Sequence, residues 1–128
     1  MPRQTINTAG APQPIGPYVQ AVRAGDLLFI SGQLPLDPTT GTLVRAGIRA
    51  QTRRVIENLR AILEAAGGNL GSLVKVSVYV KVMDDFTQVN EVYAELLGAN
   101  PPARMASESS RLPKDAQVAM DAVAYLGS

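Results

Sequence analysis

The feature that most constrains the fold is a strict alternation at residues 72–83, which read SLVKVSVYVKVM. Valine recurs at every second position from Val74 to Val82, with Lys, Ser or Tyr between. A period of two over this length predicts a β-strand, because successive side chains of a strand point to opposite faces. The face with Lys and Tyr is wetter, so we expect helices to cover only one face of the sheet.

Two helices are predicted. Residues 47–66, GIRAQTRRVIENLRAILEAA, carry apolar residues at spacings of three and four, and Gly67-Gly68 is typical of a helix end. The second helix is expected to begin after Asp85, which has the capping-box spacing to Gln88, and to end at Gly98. Asn90 lies within its apolar stripe, where a polar amide needs a partner. The stripe comprises Phe86, Val89, Tyr93, Leu96 and Leu97.

The remaining segments predict further strands. Two flank the Ala24-Gly25-Asp26 turn, and the second of these, residues 27–32, is expected to be central; two more cover residues 103–110 and 117–126. Residues 9–17, AGAPQPIGP, predict a rigid loop, and residues 37–41 a turn. The order of elements predicts an α+β fold, with two helices on one face of a mixed sheet, in a single domain spanning residues 1–128.

The second face of this sheet is expected to be too apolar to stay in water. It would carry Tyr79, Val123, Tyr125 and many small residues. Because soluble monomers rarely expose a large apolar patch, we expect this face to be buried between copies of the chain.

Composition excludes several functional classes. The 128 residues include no Cys and no His, which rules out thiolate nucleophiles, His-containing triads and imidazole metal sites. A net charge of +1 without a basic cluster disfavours nucleic acid and anionic membranes as partners. We expect no signal peptide and no membrane span, since no apolar run reaches about 18 residues. A cytoplasmic location is the expectation.

Four segments resemble the RidA/YjgF family of reactive-intermediate deaminases, many of which are labelled endoribonuclease L-PSP. They are IGPYVQAV at residues 15–22, FISGQLPLDPTTG at 29–41, VNEVYAE at 89–95, and PPAR with RLPKDA between residues 101 and 116. The resemblance implies a chorismate-mutase-like subunit and a homotrimer, in which three sheets form a barrel and clefts lie between subunits. Deaminating members of this family hydrolyse enamines and imines such as 2-aminoacrylate to 2-keto acids and ammonia, without a cofactor or metal.

The resemblance also implies a set of site residues. Arg104 matches the family arginine that binds the substrate carboxylate, a role suited to the two parallel hydrogen bonds of a guanidinium. Tyr18, Ser31 with Gly32 in ISGQ, and Asn90 match other substrate-binding positions. Structural alternatives remain open: Arg104 could pair with Glu108, Tyr18 could plug the barrel end, Ser31 could close a turn, and Asn90 could cap backbone groups of a loop.

The chain departs from the family at two catalytic positions. Deaminating members carry a glutamate that holds the attacking water, and this position is Ala119; the family's Cys or Thr position is Ala106. Loss of a positioned general base typically costs roughly 10²- to 10⁴-fold in rate. Asp121, about 7 Å along the same strand face, and Glu108, on the face of Arg104, are the possible stand-in acids.

Two functions follow from this comparison. The first is a deaminase-like hydrolase acting on 2-iminobutanoate and 2-iminopropanoate, weakened by Ala119. The alternative is a protein of the same fold that binds small carboxylates without turnover. A ribonuclease is the weakest reading, since RNA cleavage calls for proton shuttles and phosphate-binding cations.

Overall fold

A computed structural model describes residues 3–127, which form a six-stranded sheet and two α-helices. In chain order the strands are β1 (Gln4–Ile6), β2 (Ala21–Ala24), β3 (Leu27–Gln33), β4 (Leu73–Val80), β5 (Ala103–Glu108) and β6 (Val118–Tyr125). Their order across the sheet is β1-β2-β3-β6-β4-β5. β4 and β5 are parallel and the other neighbouring pairs are antiparallel, so the sheet is mixed, as predicted.

The first helix, α1 (Ile48–Ala65), confirms the prediction from its periodicity. Val55, Leu59 and Ile62 of its apolar stripe are fully buried. The helix ends in a Schellman motif: Gly68 N–H donates to the Leu63 carbonyl at 2.8 Å, and Gly67 N–H donates to the Glu64 carbonyl at 3.1 Å. Gly67 has φ +90°, a left-handed conformation that glycine adopts without the usual steric cost.

The second helix, α2 (Phe86–Leu97), begins where predicted, but the capping box is wrong. A 3₁₀ turn, Met83–Asp85, leads directly into the helix, and Asp85 already has right-handed helical torsion angles. Its side chain makes no capping hydrogen bond, because an N-cap residue needs an extended backbone to turn its oxygen towards the first turn. Glu108, on β5, instead binds the backbone at this end of the helix: its Oε1 accepts a hydrogen bond from the Met83 N–H at 2.8 Å.

Both helices pack on one face of the sheet, where the core lies. Val76, Val78, Val80 and Met120 project from neighbouring strands into this layer and are at most 1% exposed. The predicted alternation holds over this part of β4 but fails at Val74, which is 44% exposed. A register shift between Leu73 and Lys75 breaks the period there, since an extra residue at a bulge changes which face the side chains take.

The other sheet face is uncovered in a single copy of the chain and is apolar, as expected. Phe29 on β3 is 47% exposed, Met105 on β5 is 63% exposed, and Tyr125 on β6 is 49% exposed. β3 lies between β2 and β6, so its predicted interior position is confirmed. No helix within residues 3–127 combines the length and apolar character that a membrane crossing requires.

Candidate functional site

Arg104 lies on β5, at the edge of the sheet, and its side chain reaches towards α2. Its Nη1 donates a hydrogen bond of 2.6 Å to Asn90 Oδ1. Its guanidinium carbon lies 4.8 Å from the ring centroid of Tyr93 and 5.2 Å from that of Phe86. Asn90 is exposed and binds this side chain rather than the backbone of a loop, so the capping interpretation is wrong.

A crevice of about 390 Å³ opens beside Arg104. Arg104, Asn90 and Tyr93 form one side, and Gly98, Pro101 and Pro102, in the connection from α2 to β5, contribute to its lining. Two consecutive prolines cannot continue a helix and restrict the chain, so they make a stiff wall. Glu108 lies further along β5 and bonds Met83 instead, so the predicted alternative of an Arg104–Glu108 ion pair is wrong.

Tyr93 is buried, and its hydroxyl has no hydrogen-bond partner within residues 3–127. Burial raises the pKa of Tyr93 above its ordinary value, and the nearby positive charge of Arg104 opposes this rise in pKa. The phenol therefore stays neutral at physiological pH. The contact that Tyr93 makes with Arg104 is a contact of its ring.

A second pocket, of about 670 Å³, lies between the proline-rich N-terminal loop and the strands behind it. Tyr18, Ser31 and Gly32, three of the predicted site residues, line this pocket, and so does Ala119. Gly32 falls where the pairing of β3 with β6 shifts register, between Ile30 and Gln33. Such a bulge re-aims the side chains around it and is common beside binding sites.

Ser31 and Tyr18 also hold local structure. The Ser31 Oγ donates to the Val19 carbonyl at 2.5 Å, so the hydroxyl ties β3 to the chain that precedes β2. Tyr18 is half exposed, and its hydroxyl accepts the Ile15 N–H at a long 3.4 Å. Each side chain therefore supports the pocket wall while presenting part of its surface to the pocket.

The possible stand-in acids are both engaged elsewhere. Asp121 lies on the open sheet face, and its Oδ2 accepts a hydrogen bond of 3.1 Å from the Tyr79 hydroxyl. That hydrogen bond, followed by burial and the negative charge of Asp121, raises the pKa of Tyr79. Neither Asp121 nor Glu108 is among the residues lining the two pockets. Within residues 3–127, no cluster of acidic side chains is arranged to hold a metal ion.

One copy of the chain separates the predicted site residues into two groups. Arg104 and Asn90 line the crevice beside α2, whereas Tyr18, Ser31 and Gly32 line the larger pocket at the N-terminal loop. The two sets of lining residues share no member.

Three contributions were missed by sequence reasoning. Phe86 and Tyr93 contact Arg104. Their spacing with Asn90 had already predicted a common helix face, but no sequence signal indicated that Arg104 meets this face. Lys114 lines the larger pocket in a left-handed conformation with φ +61°, which nothing in its residue type predicts. Gln20 is buried and its Nε2 donates to the carbonyls of Thr8, Ala11 and Pro12, which anchors the N-terminal loop.

The family model described as Endoribonuclease L-PSP matches residues 8–126. This chain belongs to that family. Relatives support the assignment: a RutC family protein of Pyrococcus horikoshii is 55% identical over 123 residues, 96% of this chain and 98% of the relative. The 2-iminobutanoate/2-iminopropanoate deaminase of Escherichia coli K12 is 44% identical over 124 residues, 94% and 96% of the two chains.

Solved structures share the fold of this chain. RidA from the Antarctic bacterium Psychrobacter sp. superimposes with a TM-score of 0.92 at 44% identity, covering 95% of this chain and 98% of that one. Escherichia coli TdcF with bound serine gives a TM-score of 0.92 at 38% identity, covering 97% and 99%. The predicted RidA/YjgF membership and the predicted fold are therefore confirmed.

Proposed function

We propose that this protein binds small 2-keto and 2-imino carboxylates through Arg104 and hydrolyses the reactive imines slowly, as a weak RidA-like deaminase. The observation that carries the proposal is the state of Arg104. Its guanidinium borders a crevice, is held by a neutral amide, and has no carboxylate within ion-pair distance among residues 3–127. A cation arranged in this way is suited to an external carboxylate.

The relatives support the same ligand class. A protein 44% identical to this chain is named 2-iminobutanoate/2-iminopropanoate deaminase, and the solved structure of TdcF, 38% identical, contains bound serine. Both the imino acids and serine are small molecules with one carboxylate beside a nitrogen-bearing carbon. We extend that ligand class to this chain.

The complete site is proposed to form between copies of the chain in a homotrimer. The two groups of site residues lie in separate pockets of one copy, and the open sheet face exposes Phe29, Met105 and Tyr125. In the proposed trimer, the Arg104 crevice of one copy lies beside the Tyr18 and Ser31 pocket of another, as the resemblance to the RidA/YjgF family implies. Association is favoured because it removes apolar surface from water.

The proposed reaction is hydrolysis. Water adds to the carbon of the C=N bond, the tetrahedral carbinolamine loses ammonia, and a 2-keto acid remains; an enamine first tautomerises to the imine. Arg104 would orient the substrate through its carboxylate, which raises the effective concentration of the reacting geometry. Ala119 has no group that removes a proton from the water, so the rate is expected to lie far below that of a site with a glutamate there.

A second candidate function, binding without turnover, is favoured by one observation. Ala119 brings only a methyl group to the pocket, while Asp121 binds Tyr79 and Glu108 binds Met83. A protein with this arrangement would retain the carboxylate site and lack the base.

A coupled assay tests the enzymatic proposal. A dehydratase generates 2-aminoacrylate from serine, and pyruvate release is followed with and without the purified protein. We expect a modest acceleration by the natural chain and a roughly 10²-fold or greater gain with Ala119→Glu. Ala119→Gln is the matched control, because it adds similar volume without a base. Release at the buffer rate by the natural chain would reject the deaminase in favour of the binding function.

Binding is tested separately by calorimetry with 2-oxobutanoate. Arg104→Ala is expected to abolish binding, whereas Arg23→Ala should leave it intact, because the Arg23 side chain bonds the Gly25 carbonyl of a turn and lines neither pocket. Equal affinity for the natural chain and Arg104→Ala would refute both candidate functions. Light scattering of the same samples tests the homotrimer.

A further inference from the structure

We propose that Phe86, Asn90 and Tyr93 are positioning residues, which together hold the Arg104 guanidinium ready for a single carboxylate group. The inference rests on the proposed function and deepens it by assigning residues that act through Arg104. The three side chains are called the α2 cradle below.

The hydrogen bond from Asn90 fixes one end of the guanidinium. Arginine is long and loses much rotamer freedom when it is immobilised, so an arginine held before the ligand arrives binds at a smaller entropic cost. Asn90 Oδ1 accepts from Nη1 at 2.6 Å and, being neutral, leaves the positive charge available. An aspartate at this position would hold the guanidinium equally well and neutralise it.

The two aromatic rings hold the cation without using its N–H groups. The guanidinium carbon is 4.8 Å from the Tyr93 centroid and 5.2 Å from the Phe86 centroid, both within the range of a cation–π interaction. The attraction comes from the ring quadrupole, so the donors in the guanidinium plane stay available to a ligand. The buried Tyr93 hydroxyl has no partner within residues 3–127, which assigns the contribution of Tyr93 to its ring.

The α2 cradle is a product of helix geometry. Phe86, Asn90 and Tyr93 are separated by four and then three residues, so they form one row on the face of α2 nearest the sheet edge. Arg104 comes from β5, the edge strand, and meets this row from the side. Because α2 and β5 are both regular elements, the row can hold the guanidinium more accurately than a loop could.

The arrangement also limits the ligand. Nη1 is engaged by Asn90, whereas Nε and Nη2 make no hydrogen bond to the protein within residues 3–127. These two atoms form one edge of the guanidinium, which matches the two oxygens of one carboxylate. Arg104 therefore recognises one carboxylate per ligand, and the remainder of the ligand must be recognised elsewhere.

The test compares the affinities of two probes, 2-oxobutanoate and its uncharged amide, 2-oxobutanamide, by calorimetry on the full chain. The ratio of the two affinities reports on carboxylate recognition alone, because a general structural defect would weaken the binding of both probes equally. Asn90→Ala and Tyr93→Leu are expected to lower the acid-to-amide ratio by roughly 5- to 30-fold. Asn90→Asp is expected to remove the preference for the acid, since its carboxylate competes with the ligand. Tyr93→Phe keeps the ring and should leave the ratio within about twofold of the natural chain.

The possible results separate this inference from the proposed function. If the natural chain does not bind 2-oxobutanoate, or if Arg104→Ala binds it unchanged, the proposed function fails and the inference fails with it. If Arg104→Ala loses binding but Asn90→Asp keeps the natural ratio, the α2 cradle alone is overturned. Should Asn90→Ala or Tyr93→Leu fail to fold, the two conservative variants, Asn90→Asp and Tyr93→Phe, decide the question. The inference is supported if Asn90→Asp loses the preference for the acid while Tyr93→Phe keeps the acid-to-amide affinity ratio of the natural chain. Any other combination overturns it.

Discussion

The two faces of the sheet are made by the same strands, but one is buried under helices and the other is exposed. On the helix-covered face, Val76 and Met120 are fully buried, and α1 and α2 complete the core. On the open face, Phe29 and Tyr125 remain about half exposed, and Met105 is 63% exposed. One copy of the chain therefore buries one apolar face of the sheet and leaves the other exposed to water.

This difference separates the residues that stabilise the fold from those that we propose for assembly. Contacts on the covered face join segments of one chain, so they stabilise any single copy. The open face offers apolar area that only another molecule can cover. A single copy keeps the two pockets apart, and we propose that assembly brings them together.

Truncation of a covered leucine should cost far more than truncation of an open-face leucine. Leu59 on α1 is fully buried, and Leu59→Ala should lower the free energy of unfolding by about 2–5 kcal/mol, because it leaves a cavity in a packed core. Leu27 on the open face is 39% exposed, and Leu27→Ala should cost less than about 1 kcal/mol. Urea unfolding at a dilution that separates the copies measures both. Similar losses would show that the two faces are energetically equivalent.

A charge placed on the open face should abolish association without unfolding a copy. Met105→Glu would bury an unpaired carboxylate in the proposed interface and weaken association by at least about 100-fold, equivalent to about 3 kcal/mol. Sedimentation measures the mass, and circular dichroism checks the fold. Val82→Glu is the control, since Val82 is 45% exposed and lies beyond the end of β4. An unchanged mass for Met105→Glu would place the interface elsewhere.

The hydrogen bond between Tyr79 and Asp121 on the open face should be detectable in a pH titration of Tyr79. The hydrogen bond to Asp121 raises the pKa of Tyr79, so the pair stabilises the folded state fully below the ordinary tyrosine pKa of about 10. That contribution is lost as the pH rises through the higher pKa of the folded state. Asp121→Asn should return the pKa of Tyr79 towards its ordinary value, seen as earlier ionisation in an ultraviolet titration. Tyr79→Phe identifies the signal, and an unshifted curve in Asp121→Asn would contradict the assignment.

The smallest effect is expected on the outer surface of the helix layer, which differs from both sheet faces. Arg53 on α1 and Glu95 on α2 form an ion pair of 2.6 Å, with side chains 47% and 59% exposed. A double-mutant cycle with Arg53→Ala and Glu95→Ala should give a coupling energy of about 0.2–1 kcal/mol that decreases with added salt. A larger coupling that resists salt would mean that the pair is shielded from water.

Sequence patterns predicted much of the fold because local periodicity carries that information. The spacing in α1 and the alternation in β4 each reflect one apolar side, and a segment can reveal that side without knowledge of its partners. The glycines after α1 mark its end in the same local way. The errors were local exceptions to these rules. Asp85 has the composition of a cap but not its backbone conformation, and Val74 follows the alternation until a bulge removes it.

The site was predicted less completely than the fold. The identities of Arg104, Tyr18, Ser31, Gly32 and Asn90 came from the resemblance to a family, and their assigned roles stay predictions. The sequence pattern did not reveal that Asn90 is exposed and bonds Arg104, because this contact joins a helix to an edge strand whose relative position no local pattern encodes.

Residue order therefore sufficed for the elements, for the apolar side of each, and for the absence of His and Cys chemistry, since these are properties of short segments or of composition. Packing decided which side chains meet: the α2 cradle around Arg104, the two separate pockets, and the face left open. The physical reason is that a periodic pattern states how much apolar surface must be buried, whereas contacts distant in the chain determine what buries it.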